Sequence, residues 1–230
     1  TVVASTNISF YTGKKQQVNL STINSDLEYS PSRRQIILPI IISIWTQNNK
    51  INWTGDCRYL KFPSYAFGMG GNTSVSNAFK VDYSYLKISI IPYRLLRNNF
   101  FAGLGYNLDY HWNIKDQNSL EEYKRYTNNA TSSVSSGITL NLKYDGRKNS
   151  NNPQAGVYCG VSLRNNFKVL GSNKNWKSLT IDLRKYKKLS DNPYHLLAFW
   201  SYNSFAFGDK VPYFDLPSIG SDSYALTGRE

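Results

Sequence analysis

Ile138 to Asp145 reads I-T-L-N-L-K-Y-D, with an apolar residue at every even position and a polar or charged one at every odd position. Side chains alternate across a strand, so this stretch predicts a β-strand with one oily and one polar face. A water-soluble sandwich would turn the oily face inward. The wall of a lipid-embedded barrel would turn it outward. Eight residues cannot choose between the two, and the choice has to come from the rest of the chain.

The same period recurs on both sides of this stretch. Upstream, Phe100, Ala102, Leu104, Tyr106, Leu108, Tyr110 and Trp112 share one phase, against Gly103, Gly105, Asn107, Asp109 and His111. Downstream, Val157, Cys159, Val161 and Leu163 oppose Tyr158, Ser162 and Arg164, and Leu179, Ile181 and Leu183 oppose Asp182, Arg184 and Tyr186. His195 to Gly208 is rich in Leu, Phe, Trp and Tyr. Earlier strands are predicted at Thr1 to Tyr11, at Val18 to Ser30 with a bulge where the phase changes near Ser21 and Thr22, at Ile36 to Ile44, and at Ile51 to Tyr59. Val81 to Arg97 predicts a longer strand in which Pro92 marks a bulge or an end. Short turns separate these runs at Thr12-Gly13-Lys14, Asn48-Asn49-Lys50, Asn98-Asn99, Lys148 to Gln154, Gly171-Ser172-Asn173 and Asp191-Asn192-Pro193. Longer loops are expected at Ser64 to Phe79 and Asn118 to Ser133.

Composition fits many strands and few helices: 18 Tyr, 11 Phe and 5 Trp among 230 residues, with one Met. The formal charge of +12 raises nucleic acid or an anionic membrane surface as partners. The Lys and Arg sit in turns or at alternate strand positions, with no basic helix or zinc-ligand spacing, so a nucleic-acid reader has no element to use. Cys57 and Cys159 are too few for a disulfide framework and lie on apolar phases, as inert packing or lipid-facing thiols. The oily run Ile36 to Trp45 is too short for a spanning helix. The glycines of Phe67 to Asn72 lack the helix and Lys of a phosphate cradle. His111 and His195 are isolated and no catalytic spacing is present, so neither an enzyme nor a cofactor or metal site is expected. The chain opens mid-pattern without a signal peptide, so the start of the natural protein is expected to lie upstream.

About ten strands of roughly nine to fifteen residues match outer-membrane barrels better than sandwiches. Charge placement points the same way. Arg58, Asp109, Lys143, Asp145, Arg164, Asp182 and Arg184 all take the phase opposite the oily residues, where a wet lumen can solvate them and lipid cannot. Tyr59, Phe62, Trp112, Trp176 and Trp200, near strand ends, are candidates for aromatic belts at the membrane interfaces. The fold expected is an all-β, transmembrane antiparallel barrel over residues 1–208. Residues 209–230, where alternation stops, form a tail that a self-contained ten-strand pore would not need.

That tail and the strands before it carry several short motifs in a fixed order: Tyr144-Asp145-Gly146-Arg147, Asn152-Pro153-Gln154-Ala155-Gly156, Leu170-Gly171-Ser172, Asp182-Leu183-Arg184-Lys185-Tyr186, Val211-Pro212-Tyr213-Phe214-Asp215-Leu216 and Ile219-Gly220-Ser221-Asp222. In this order they resemble the bacterial surface antigen family of outer-membrane assembly and translocation barrels, the BamA–TamA family. The resemblance implies a barrel of about sixteen strands behind periplasmic domains, of which about ten are present here. The first strand, the last five and the periplasmic domains would lie outside this sequence. It also makes the tail an inward-folding loop with Pro212, Tyr213, Phe214, Gly220, Ser221, Asp222, Gly228 and Arg229 as its working residues. One departure is plain: Thr227-Gly228-Arg229 puts Arg after the glycine, where the family loop has it before.

By that resemblance the chain is an outer-membrane factor for protein assembly, insertion or translocation, whose barrel seam accepts client strands by backbone pairing. Its partners would be the lipid bilayer, client outer-membrane proteins and accessory assembly subunits, with no nucleic acid. Three other readings stand beside it: a passive outer-membrane pore or solute transporter, a secreted soluble β-sandwich that binds carbohydrate, and a membrane-tethered scaffold for an enzyme whose catalytic part lies outside this stretch.

Overall fold

A computed structural model describes residues 1–32, 34–61, 63–66, 78–116, 130–147, 152–190, 192, 195–208 and 210–217. Alternating stretches become strands: β1 (Val2–Phe10), β2 (Ser21–Ser30), β3 (Gln35–Trp45), β4 (Ile51–Lys61), the short β5 (Ser64–Ala66), β6 (Phe79–Arg97), β7 (Phe100–Asp116), β8 (Ser132–Asp145), β9 (Gly156–Asn166), β10 (Trp176–Lys188) and β11 (Leu196–Phe207). All join one antiparallel sheet in chain order, from β1 at one edge to β11 at the other. β5 pairs β6 beyond the end of β4, in line with it. Among the described residues each edge strand has a partner on one side only, so the sheet is open, as part of a larger barrel would be.

The two faces are inverted relative to a soluble protein. Leu104, Leu140 and Leu142 are 59%, 55% and 48% exposed, whereas Asp109, Thr139 and Asn141, on the opposite phase of the same strands, are 7%, 1% and 3% exposed. Registers keep like with like: Leu104 pairs Leu140, which pairs Leu163, and Gly103 pairs Asn141, which pairs Ser162. A soluble sandwich is thereby overturned. Among the described residues there is one sheet rather than two, and the leucines that would fill a sandwich core face out.

Local chemistry sets the turns. Asn98 and Asn99 both hold positive φ, 28° and 66°, which asparagine tolerates and a two-residue hairpin between right-twisted strands requires. Four details differ from the sequence reading, one being that the expected loop Ser64 to Phe79 opens with β5 and ends on the first residue of β6. The bulge expected near Ser21 is absent, because β2 starts there and its register with β1 runs unbroken from Val2–Tyr29 to Phe10–Ser21. Pro92 is neither bulge nor end, since its register with β4 continues through Trp53. The irregularities of β6 fall instead between Asp82 and Ser84 and between Leu95 and Arg97. Finally, β8 begins at Ser132, two residues inside the expected loop; most of that loop, Phe62 and Phe67 to Asn72 lie outside the described residues.

Candidate functional site on the polar face

The polar face is tied together around Asp109. Strand alternation brings Tyr85 of β6, Asp109 of β7, Ser135 of β8 and Arg164 of β9 to one side of the sheet. The Tyr85 hydroxyl and Arg164 Nη1 both donate to the Asp109 carboxylate. Arg164 also donates from Nε to Asn166 Oδ1 at 2.8 Å and from Nη2 to the Ser135 carbonyl at 2.9 Å. A buried carboxylate held by a cation and a phenol has little freedom to move, so this cluster is a rigid anchor.

The tail docks on this anchor. After β11 the chain turns back, and a single 3-10 turn over Tyr213–Asp215 lies against the polar face. Tyr213 and Phe214 pack on the buried Phe79, Val81 and Ile114. The Phe214 ring stacks 5.1 Å from the His111 imidazole, which also stacks 4.3 Å from the Tyr85 ring. Ser135 Oγ donates to Asp215 Oδ2 at 2.6 Å and accepts from Trp176 Nε1 at 3.0 Å, so one serine links tail, β8 and β10. Burial and the negative charge of Asp109 push the Asp215 carboxyl up to about 7, against the pull of the Ser135 hydroxyl and the Arg164 guanidinium.

A second polar region follows toward the opposite ends of β8 and β10, around Asp145 and Asp182, while Asp56–Arg58 lies on β4 at the level of Lys87 and Asp109. Asp56–Arg58, Asp145–Arg147 and Asp182–Arg184 are the same device three times: an acid and an arginine two residues apart meet in a fork. Nε–Oδ1 distances are 2.6, 2.9 and 2.9 Å. Lys87 reaches Asp56 at 3.1 Å. Lys143 takes another course, with its ammonium 4.3 Å from the Tyr93 ring centroid and 5.0 Å from that of Phe101.

All seven charged residues expected on the lumen side, Arg58, Asp109, Lys143, Asp145, Arg164, Asp182 and Arg184, are at least partly buried on the polar phase. Of the expected loop residues, Pro212, Tyr213 and Phe214 sit at the docking point. Gly220, Ser221, Asp222, Gly228 and Arg229 lie outside the described residues. The aromatic expectation divides. Tyr59, Tyr110 and Trp112 cluster on the outward face, with ring centroids 6.0 Å apart for Tyr59–Trp112 and 4.8 Å for Tyr110–Trp112. Trp176 and Trp200 belong to the polar face instead, where their indole N–H groups donate to Ser135 and to Asp182. In the sequence Asp215 stands only as part of a motif and His111 only as an isolated residue on the polar phase, and Ser135 and Tyr85 have no assigned role. Cys57 and Cys159 are free and half-buried on the outward phase, in register with Ile88 and Leu183. Among the described residues no three His, Cys, Asp or Glu side chains gather as a metal site.

Comparison with known proteins places this arrangement. The Omp85 superfamily domain matches residues 12–222. The structure of BamA from Haemophilus ducreyi lacking POTRA domains 1-3 superposes with a TM-score of 0.50 at 15% identity, over 95% of this chain and 44% of that one. This chain therefore corresponds to less than half the length of that protein. No curated protein matches the sequence.

Proposed function

The chain belongs to the Omp85 superfamily, and from that premise we propose that it forms part of the wall of a bacterial outer-membrane barrel that inserts or translocates other outer-membrane proteins. The observation that carries the membrane half of this reading is the inversion across β7 and β8, with leucines out and Asp109, Thr139 and Asn141 in. Hydrocarbon accepts the first set and a wet interior the second.

An open sheet edge in hydrocarbon strands unpaired amides and carbonyls, so the wall must be completed by further strands. The same physics supplies the working step. A seam whose two strands pair poorly presents backbone donors and acceptors, and an incoming client strand satisfies them by adding to the edge. The tail, pinned by Tyr213, Phe214 and Asp215 to the polar face, braces the wall from inside while the seam moves. No catalytic chemistry and no cofactor is ascribed to these residues. The bilayer and client barrels are the partners proposed, with accessory subunits joining through parts of the protein outside this stretch.

The test is reconstitution of the full-length protein into liposomes with an unfolded outer-membrane barrel as client. Accelerated client insertion over protein-free liposomes is expected, and its loss is expected when a disulfide locks the seam. A passive pore would give ion conductance with no acceleration, and that result would overturn the assembly reading.

A further inference from the structure

Between Arg164 and Asp182 the sequence runs seventeen residues, N-N-F-K-V-L-G-S-N-K-N-W-K-S-L-T-I, with Lys168, Lys174 and Lys177 and no acid. This stretch carries β9 into β10 through a 3-10 turn over Lys168–Leu170. The turn is held against β8 by the Phe167 amide on the Ser136 carbonyl at 2.9 Å and the Asn173 amide on the Val134 carbonyl at 2.8 Å. Held that way, it leaves apolar side chains uncovered: Val169 is 89% exposed, and Phe167 and Leu170 are also exposed.

Beside the turn lies an apolar groove of about 370 Å³ lined by Phe167, Trp176, Lys177 and Phe207, with Asn165 and Asn175 at its sides. Lys177 stands in register between Asn165 of β9 and Phe207 of β11, and it ends the outward ladder Leu183, Ile181, Leu179. The next residue after Phe207, Gly208, also lines the groove; it has φ +141°, and a Cβ added there would come within 3.2 Å of the Trp176 Cβ. No carboxylate lines it among the described residues.

We propose that this groove seats a phosphorylated membrane lipid, its acyl chain along Phe167 and Phe207 and its phosphate on Lys177, with Lys168 and Lys174 adding to the local field. The groove is continuous with the face that meets the bilayer, so an acyl chain reaches it without leaving hydrocarbon. Lys177 stands where that apolar ladder gives way to the turn, at the depth where a headgroup lies. The turn shares its end of the sheet with the β4–β6 and β7–β8 connections and the tail, so the lipid belongs to the leaflet on the long-connection side. The inference rests on the membrane placement of the apolar face and goes beyond the assembly reading.

The test is native mass spectrometry of the full-length protein released from nanodiscs holding phosphatidic acid or diacylglycerol with the same acyl chains. Preferential retention of phosphatidic acid is expected. Lys177→Gln should reduce that preference about fivefold and Lys177→Glu should abolish it, while Lys61→Gln, at the same end of the sheet on β4, should leave it unchanged. Equal retention of the two lipids would overturn the proposal, as would a preference untouched in both Lys177 variants or displacement of the lipid by millimolar inorganic phosphate. A protein that inserts client barrels normally yet shows no lipid preference would sink this inference alone.

Discussion

The hairpin β1–β2 and the wall β7–β10 are built on the same alternation and differ in what covers their polar side. Every residue of β1 except Phe10 is exposed, and its inward-phase contacts are a bond between Asn7 and Asn24 and one from Ser9 to Asn7. In β7–β10 most of the corresponding positions are buried or half-buried, and they are cross-linked through Asp109, Arg164 and Ser135 and docked by the tail. Alternation therefore sets which way side chains point. Rigidity comes from charge pairs that span strands and from a segment laid over them.

Removing the cation from each kind of pair separates the two regions most strongly. Arg164→Leu strands the Asp109 carboxylate in a buried site and should cost about 3–5 kcal/mol of unfolding free energy. Arg58→Leu on β4 should cost at most about 1 kcal/mol, because Lys87 remains 3.1 Å from Asp56. Urea titration of the full-length protein in bilayers, followed by tryptophan fluorescence, measures both. Equal losses would show that the wall is no more tightly tied than its flank.

A charge on the outer face sharpens the same contrast by depth. Leu140→Arg, at the middle of the lipid-facing ladder, should cost about 2–4 kcal/mol, and Val2→Arg at the rim of the edge strand about 0–1 kcal/mol. The same titration reads both. If Leu140→Arg were harmless, this face would not meet hydrocarbon.

The smallest expected effect is local. The Asp215 carboxyl is raised to about 7 where the tail is docked, above its ordinary value near 4 when free. Docking therefore favours the protonated acid. Its contribution is fully present below about pH 4, declines as pH rises through the window from about 4 to about 7, and is flat above it. Spin labels in an Ala78→Cys, Leu216→Cys pair should report a docked fraction that falls across that window, and Asp215→Asn should flatten the dependence with little change in global stability.

Much of this was legible before any coordinates. Period-two patterning placed the strands and sorted Arg58, Asp109, Lys143 and Arg184 onto one phase, because burial preference acts on every second residue. What the sequence could not carry were relations across long separations. Ser135 and Asp215 are 80 residues apart and meet only because the tail folds back over the sheet. Trp176 and Trp200 resemble belt residues by their place near strand ends, yet their indole N–H groups find oxygen acceptors on the polar face. Pro92 follows a different logic. A missing donor suggests a break, but the neighbouring registers run on either side of it without a shift.

The repeated Asp-x-Arg fork has a consequence for how such a wall is made. An acid and an arginine two residues apart on one strand form a neutral pair that travels with that strand, so the strand can be threaded, slid by two residues or peeled from its neighbour without separating those two charges. Asp182–Arg184 on β10 and Asp56–Arg58 on β4 are portable in this sense. Asp109–Arg164, whose members come from two strands that do not adjoin, can form only after both have arrived. Construction of this wall would then have an order written into its ion pairs: self-contained strands first, and the cross-strand clasp as the step that makes assembly hard to reverse.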